Sequence, residues 1–228
     1  MGQIGGPRIV TSGLLAVIDA ANIVSYPGSG TAIQDLANKA NGTINGTVSF
    51  SSAGSSSYFN FATVSSSNYI SSTVSQAYLD CTIVFQPDFT LNNNAALVGL
   101  IAASNDTTNT DKSMRFSGAN GTGPWTVISG GTINTDDWGY ASTTYYVNGV
   151  AVANGASLNT GWNIIGAYRT NQSPFPASFA YFLGTEGYNA AVRDFQGRIA
   201  AVYLYDRQLT AQEHARNYHA LKGRYRLA

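Results

Sequence analysis

Charged residues are scarce in this sequence: they form 11% of its 228 residues, against roughly 25% in typical soluble domains. Twelve basic and twelve acidic residues leave a formal net charge of zero. Because phosphate binding needs clustered lysine and arginine, this balance excludes nucleic acid as the expected partner. The polar surface must come from uncharged residues such as serine, threonine, asparagine and glycine, a composition that favours strands and turns over helices.

Cysteine and long apolar runs are also missing. Cys81 is the single cysteine, so no intrachain disulfide can form, and we expect it to be a small buried residue. No stretch of eighteen apolar residues occurs, so no membrane insertion is expected. The N-terminus, MGQIGGPRIV, has no basic region followed by an apolar stretch, which predicts no signal peptide and synthesis in a cytoplasm.

Carboxylates suited to glycoside hydrolysis are few. Retaining hydrolysis usually needs a nucleophile and an acid/base carboxyl about 5 Å apart. The chain has only two glutamates: Glu213 belongs to a helix capping box, and Glu186 lies in the loop 184–187 with no carboxylate two or four residues away. We therefore expect a protein that is not an enzyme, and a polysaccharide hydrolase is the third of three functional hypotheses.

Metal-ligand patterns are weak as well. His214 and His219 would lie about 140° apart around a helix, which argues against a shared metal. Asp136 and Asp137 are adjacent acids, and we expect them in a solvated turn. A calcium ion held by this pair is the alternative, because carboxylates are its preferred ligands. No other cofactor is expected.

What the sequence does contain is a succession of short strand patterns. About a dozen apolar, alternating segments are separated by Gly, Asn and Ser turns, which is typical of a two-sheet sandwich. The segment 145–152 is a hairpin pattern in which Asn148-Gly149 supplies the two positive-φ residues of a type I′ turn. Asp35 lies among the turn residues of the segment 20–38, where it is well placed to accept backbone amides.

The C-terminal segment predicts a strand followed by a helix. Residues 199–205 form an apolar run, and Thr210 with Glu213 forms the Ser/Thr-x-x-Glu capping box of a helix over about 211–222. Gly223 stands where a left-handed residue would end that helix.

These segments resemble a known family. The pattern Gly-x-Ile-x-x-Val-x-Leu-Tyr-Asp-Arg-x-Leu-Thr-x-x-Glu in 197–213 and the Ser-Tyr-Pro-Gly-Ser-Gly-Thr segment 25–31 are similar to laminin-G-like, concanavalin A-like jelly rolls. The resemblance implies an all-β, two-sheet antiparallel jelly-roll sandwich with one short C-terminal helix. It also implies one domain over 13–228, preceded by an N-terminal arm over 1–12.

The resemblance carries functional expectations too, since such domains are frequent in tailed-phage virion proteins. It implies a non-enzymatic virion structural protein, such as a capsid decoration, head-fibre, neck or tail component. Its partners would be other virion proteins and further copies of itself, and its location the virion. The alternative is a lectin-like module that binds a host-surface glycan.

Two sets of residues are candidate contacts. Trp138 and Tyr140 have aromatic rings that can stack on sugars, beside the acids Asp136 and Asp137, although aromatic residues also fill sandwich cores. Cations of the N-terminal arm and the C-terminal tail are candidates for contact with a partner. This second set consists of Arg8, Arg224 and Arg226.

Overall fold

The computed structural model describes twelve parts of the chain. They are residues 7–39, 41–63, 65, 67–74, 80–88, 97–104, 112–117, 132–134, 145–152, 158–168, 179–184 and 195–227.

Strands dominate the described residues. They are β1 (Leu14–Asp19), β2 (Ala32–Ile33), β3 (Gly42–Asn45), β4 (Ser49–Ser51), β5 (Tyr58–Phe61), β6 (Tyr69–Val74), β7 (Asp80–Pro87), β8 (Leu97–Ser104), β9 (Lys112–Ser117), β10 (Thr132–Asn134), β11 (Tyr145–Val147), β12 (Val150–Val152), β13 (Asn163–Tyr168), β14 (Phe179–Leu183) and β15 (Gly197–Tyr205). The helix α1 spans Ala211–Leu221, and two short 3-10 helices span Gly54–Ser56 and Lys222–Tyr225.

The strands form two antiparallel sheets. The first sheet has the order β12-β11-β13-β7-β15-β5-β4, with β1 also paired to β15, and the second has the order β10-β9-β8-β14-β6-β3-β2. Every strand pair between the described strands is antiparallel. The predicted fold class, an all-β two-sheet antiparallel sandwich with a short C-terminal helix, is confirmed.

The first sheet is covered on both faces, which explains its sequence. Phe59, Phe85 and Ile199 lie in the apolar core between the sheets, whereas Val84 and Tyr203 belong to a second apolar cluster beneath α1. Because both faces are buried, β7 and β15 carry nearly continuous apolar runs instead of strict alternation. Cys81 is fully buried in the inter-sheet core, as expected.

Strand β15 organises this sheet. It pairs with β7 along its whole length, and on its other side with β5 through residues 197–199 and with β1 through residues 201–205. The register shifts between Ile199 and Ala201, and Ala200 there is fully buried beneath the helix side of the sheet.

Helix α1 begins at the predicted capping box. Thr210 Oγ1 accepts the backbone N–H of Glu213 at 3.2 Å, and Glu213 Oε2 accepts the N–H of Thr210 at 2.9 Å. The Glu213 carboxylate also receives the Arg207 guanidinium at 2.5 and 2.9 Å. This contact holds the pKa of Glu213 at about 2.

We expect Thr210→Ala to lower the free energy of unfolding by about 1 kcal/mol, because it leaves the N–H of Glu213 without its acceptor. Thr210→Ser keeps the hydroxyl and should stay close to the wild type. Urea denaturation followed by circular dichroism measures both. Equal losses in the two variants would mean that the hydroxyl is not what stabilises the helix start.

The predicted end of the helix is wrong in one respect. Gly223 does not take the left-handed conformation; the chain continues through the 3-10 helix Lys222–Tyr225, and Arg226 is left-handed with φ 55°. The extra turn buries Tyr225 against the second apolar cluster, where Leu227 also packs. Burial of these side chains therefore carries the chain past the glycine.

Two local predictions are confirmed. Asn148 and Gly149 have φ values of 50° and 81° and connect β11 to β12, as the type I′ hairpin pattern requires. Asp35 is fully buried, and its carboxylate accepts backbone N–H groups of Val17, Ala37 and Lys39 at 2.6 to 2.9 Å.

The described part of the N-terminal arm packs on α1 of its own chain. Val10 is buried, its N–H donates to Asn217 Oδ1 at 2.9 Å, and its carbonyl accepts from the Tyr205 hydroxyl at 3.2 Å. Arg216 Nε donates to the Arg8 carbonyl at 2.7 Å. The domain boundary at residue 13 stays a prediction.

The one α-helix in the described ranges is too short to cross a membrane.

Candidate functional site

A cleft of about 420 Å³ opens where β5, β15 and β7 lie side by side. Its volume falls in the range of small-ligand sites, roughly 300 to 1,000 Å³. The lining residues come from these three strands and the loops beside them. They are Asn60, Phe61, Ala62, Gln86, Pro87, Asp88, Thr160, Gln196, Gly197 and Arg198.

A row of three polar side chains crosses the three strands at the cleft. Arg198 is opposite Asn60 on one side and opposite Gln86 on the other. Their strand neighbours Phe59, Phe61, Phe85 and Ile199 are buried in the core between the sheets. Since side chains alternate along a strand, the polar row lies on the opposite face, and it extends over two strand spacings, about 10 Å.

Hydrogen bonds hold this row in place. Arg198 Nη1 donates to Gln86 Oε1 at 3.0 Å, and Gln86 Nε2 donates to the Thr160 carbonyl at 3.3 Å. Gln196 Nε2 donates to the Ala62 carbonyl at 2.8 Å. In the described part of the chain, the half-buried Asn60 amide makes no such bond, so its donor and acceptor groups are available to a ligand.

Aromatic rings support the row from one side. The Arg198 guanidinium carbon lies 4.9 Å from the centroid of the Tyr58 ring, a cation–π distance. Tyr58 packs edge-to-face on Trp162 at 5.8 Å, and Trp162 contacts Tyr225 at 5.0 Å. Both Tyr58 and Trp162 are half-buried. This cluster fixes the position of the Arg198 side chain beside the cleft.

The floor of the cleft depends on Gly197. Its φ of 141° is one that side-chain-bearing residues rarely adopt, and a Cβ there would lie 2.4 Å from the Gln86 carbonyl oxygen and 2.7 Å from the Phe195 ring. Phe195 in turn packs edge-to-face on Phe61 at 5.6 Å. Only glycine therefore lets β15 approach β7 this closely above the aromatic core.

The predicted glycan contacts Trp138, Tyr140, Asp136 and Asp137 lie outside the described residues. They stay predictions, as does the calcium alternative at Asp136 and Asp137. Within the described ranges, no group of three or more His, Cys, Asp or Glu side chains is arranged to hold a metal ion.

The three predicted partner-contact arginines differ in their surroundings. Arg8 and Arg226 are exposed. Arg224 instead binds its own chain: its guanidinium forms two 2.7 Å bonds with the Asp19 carboxylate, and its Nε donates to the Ser55 carbonyl at 3.0 Å. Contact of these arginines with a partner stays a prediction.

The two histidines of α1 lie on different faces, as predicted. His219 is exposed, whereas His214 is 3% exposed and its Nε2 lies 3.2 Å from Asp80 Oδ2. These atoms are at ion-pair distance but are not aligned as a hydrogen bond. Asp80 Oδ2 accepts the N–H of Leu209 at 2.8 Å, and burial raises the pKa of Asp80 to about 6.

The Asp80–His214 pair is a packing element. The His214 ring stacks on Tyr146 at 3.9 Å with an interplanar angle of 17°. Both polar side chains are at most 1% exposed, so no ligand in solvent reaches them. The pair joins β7 to α1 and leaves the cleft as the candidate site.

Sequence reasoning did not identify the cleft residues. Asn60, Gln86, Gln196 and Arg198 each follow or interrupt an apolar strand segment, which is a weak signal of a polar surface position. Only the strand register brings Asn60, Gln86 and Arg198 together.

The described strands form a two-sheet β-sandwich, and solved structures of known proteins share this fold. No protein-family model and no curated protein sequence matches the chain. Among solved structures, Trypanosoma rangeli sialidase in complex with the inhibitor DANA matches with a TM-score of 0.52 and 13% identity, over 93% of this chain and 33% of the sialidase. Trypanosoma rangeli sialidase in a second structure matches with a TM-score of 0.50 and 13% identity, over 95% of this chain and 34% of that one.

A smaller protein also matches. Domain 4 of AbnA, an extracellular arabinanase of Geobacillus stearothermophilus in complex with arabinotriose, has a TM-score of 0.44 and 16% identity, over 90% of this chain and 98% of that domain. The present chain thus spans about a third of the length of the sialidases that it matches.

These comparisons correct the main functional prediction. The sequence resemblance implied a phage virion structural protein, but the sandwich is shared with sialidases, which are carbohydrate-active. The virion structural role is therefore wrong as the main interpretation, and its alternative, glycan binding, stays a prediction. The predicted location and homo-oligomeric partners are not tested and stay predictions.

Proposed function

We propose that this protein is a glycan-binding module of the concanavalin A-like type and that the cleft between β5, β15 and β7 is its binding site. The observation that supports it is the polar row of Asn60, Arg198 and Gln86, held on aromatic rings beside a cleft of ligand size. Sugar sites need polar groups in fixed positions, because each hydroxyl is bound as both donor and acceptor.

The lining offers both kinds of group. The Asn60 amide supplies a donor and an acceptor, and the Gln196 side-chain oxygen supplies an acceptor while its nitrogen is bonded to Ala62. Asp88 adds a carboxylate at the end of β7. Since the Gln86 and Gln196 side chains are already anchored to backbone carbonyls, little conformational entropy is lost when a ligand binds them.

Binding fits this lining better than hydrolysis does. Most glycosidases use two carboxyl groups, about 5 Å apart when configuration is retained. Of the described residues that line the cleft, Asp88 alone carries a carboxylate. We therefore propose a binding role without catalysis at this site.

A glycan array followed by calorimetry tests the proposal. We expect at least one glycan to bind, and Asn60→Ala and Gln196→Ala each to weaken that binding about tenfold, equal to about 1.4 kcal/mol. Gln212→Ala is the matched control, because Gln212 is exposed on α1 away from the cleft lining and should change nothing. Binding by the two cleft variants at the wild-type affinity, or binding of no glycan at all, would contradict the proposal.

A further inference from the structure

We infer that the ligand of the cleft is a sugar that carries a carboxylate, and that Arg198 binds this carboxylate. The inference rests on the proposed function, since it specifies the ligand of the same site. Arg198 is the one cation among the ten described residues that line the cleft, and its side chain is exposed.

Arg198 differs from two other arginines in the same half of the fold. Arg207 binds the carboxylate of Glu213 through two nitrogens, and Arg224 binds that of Asp19 in the same way. Arg198 has no carboxylate partner in the described part of the chain; its one hydrogen bond goes to the neutral Gln86 amide oxygen. Among the described residues, Arg207 and Arg224 are therefore bound to carboxylates, whereas Arg198 is bound to none and can pair with the carboxylate of a ligand.

The geometry of Arg198 is suited to a planar anion. A guanidinium has five N–H donors in a fixed plane, which match the two oxygens of a carboxylate. One of these donors is occupied by Gln86, and the Tyr58 ring lies 4.9 Å from the guanidinium carbon. The side chain is thus held by its amide and aromatic contacts, while Nη2 and Nε make no hydrogen bond to the described residues.

The rest of the lining distinguishes a sugar acid from a more highly charged anion. Asp88 lines the same cleft, and its negative charge opposes the binding of a second anionic group. Asn60, on β5, is the strand neighbour of Arg198, and its amide can bind a hydroxyl of the sugar ring whose carboxylate Arg198 binds. One carboxylate flanked by hydroxyls, as in a uronic or nonulosonic acid, fits Arg198 and Asn60.

Pairs of glycans that differ only in charge test this inference by calorimetry. We use trigalacturonate against its methyl ester, and sialyllactose against lactose, with the full chain in low-salt buffer. We expect at least one acid to bind ten times more tightly than its neutral counterpart. Arg198→Gln should abolish that preference, Arg198→Lys should keep part of it, and Arg8→Gln, an exposed cation outside the cleft lining, should keep all of it.

The binding results are compared only for variants that keep the wild-type circular dichroism spectrum and melting temperature, so that a loss of binding does not reflect unfolding. Loss of the preference in Arg198→Gln alone supports the inference. Equal binding of acid and neutral forms, binding of neutral glycans only, or an acid preference that survives in Arg198→Gln overturns it. Neutral binding that Asn60→Ala weakens leaves the proposed function standing, whereas binding of neither acid nor neutral glycans on the array overturns both.

Discussion

The His214→Ala variant is expected to unfold about 3–5 kcal/mol more easily than the wild type. His214 is buried between Tyr146 and Asp80, and removing it leaves the Asp80 carboxyl inside the protein without its side-chain partner. The loss is large beside a typical domain stability of about 5–15 kcal/mol. It should appear as a marked fall in the urea midpoint and in Tm.

His219→Ala is the matched control for this change. It removes the same side chain from the same helix, but His219 is exposed, and its ring centroid lies 5.3 Å from that of Tyr218. Surface substitutions of this kind stay within about 0.5 kcal/mol. A His214→Ala loss no larger than that of His219→Ala would contradict the assignment of the Asp80–His214 pair to the packing between β7 and α1.

Gly197→Ala is expected to cost about 2–5 kcal/mol of stability and to remove ligand binding. The added Cβ would lie 2.4 Å from the Gln86 carbonyl oxygen, and the φ of 141° disfavours alanine by itself. Overpacking and backbone strain each cost about 1–3 kcal/mol. Relief of the clash requires β15 to move from β7, which separates Arg198 from Gln86.

Gly223→Ala tests whether the losses of stability and binding expected for Gly197→Ala are specific to position 197. A Cβ on Gly223 meets no atom within 4 Å and its φ is not positive, so alanine should be neutral or slightly stabilising there. Denaturation midpoints and calorimetric affinity are compared for the two variants. If Gly197→Ala is as stable as Gly223→Ala and binds as tightly as the wild type, the floor of the cleft is not as described.

The sequence predicted the local structure well where one segment determines it. The predicted strand 14–19 is β1 without change, and the hairpin at Asn148-Gly149 and the capping box at Thr210 form as expected. Each depends on residues a few positions apart, whose conformational preferences do not need the rest of the fold. The helix end at Gly223 was not predicted correctly, because burial of Tyr225 continues the helical chain beyond that glycine as a 3-10 helix.

The candidate site could not be predicted in this way. The polar row comes from three strands far apart in the sequence, which contribute Asn60, Gln86 and Arg198. A shift of one residue in the register of any of these strands would turn its polar side chain into the core. The aromatic rings gave a misleading signal as well. Trp162 packs on Tyr58 beside the cleft, whereas the sequence pattern favoured Trp138 because acids adjoin it.

Function was the least predictable property. The motifs near the two ends of the chain predicted the sandwich fold correctly. A sandwich fold supports many activities, however, and the virion role was inferred only because such domains are frequent in virion proteins. The proposed function instead depends on the charges at the site. That Arg198 has no carboxylate partner among the described residues, whereas Arg207 and Arg224 have one each, is visible only in the structure.

The central claim is that the cleft between β5, β15 and β7 binds a glycan. Its most direct test is a titration of isotope-labelled protein with the tightest-binding glycan of the array, followed by two-dimensional nitrogen–proton NMR. We predict saturable shifts of the side-chain amides of Asn60 and Gln196, the Nε–H of Arg198 and the backbone N–H of Gly197. Saturable shifts confined to residues 136–140, with these four signals unchanged, would contradict the claim.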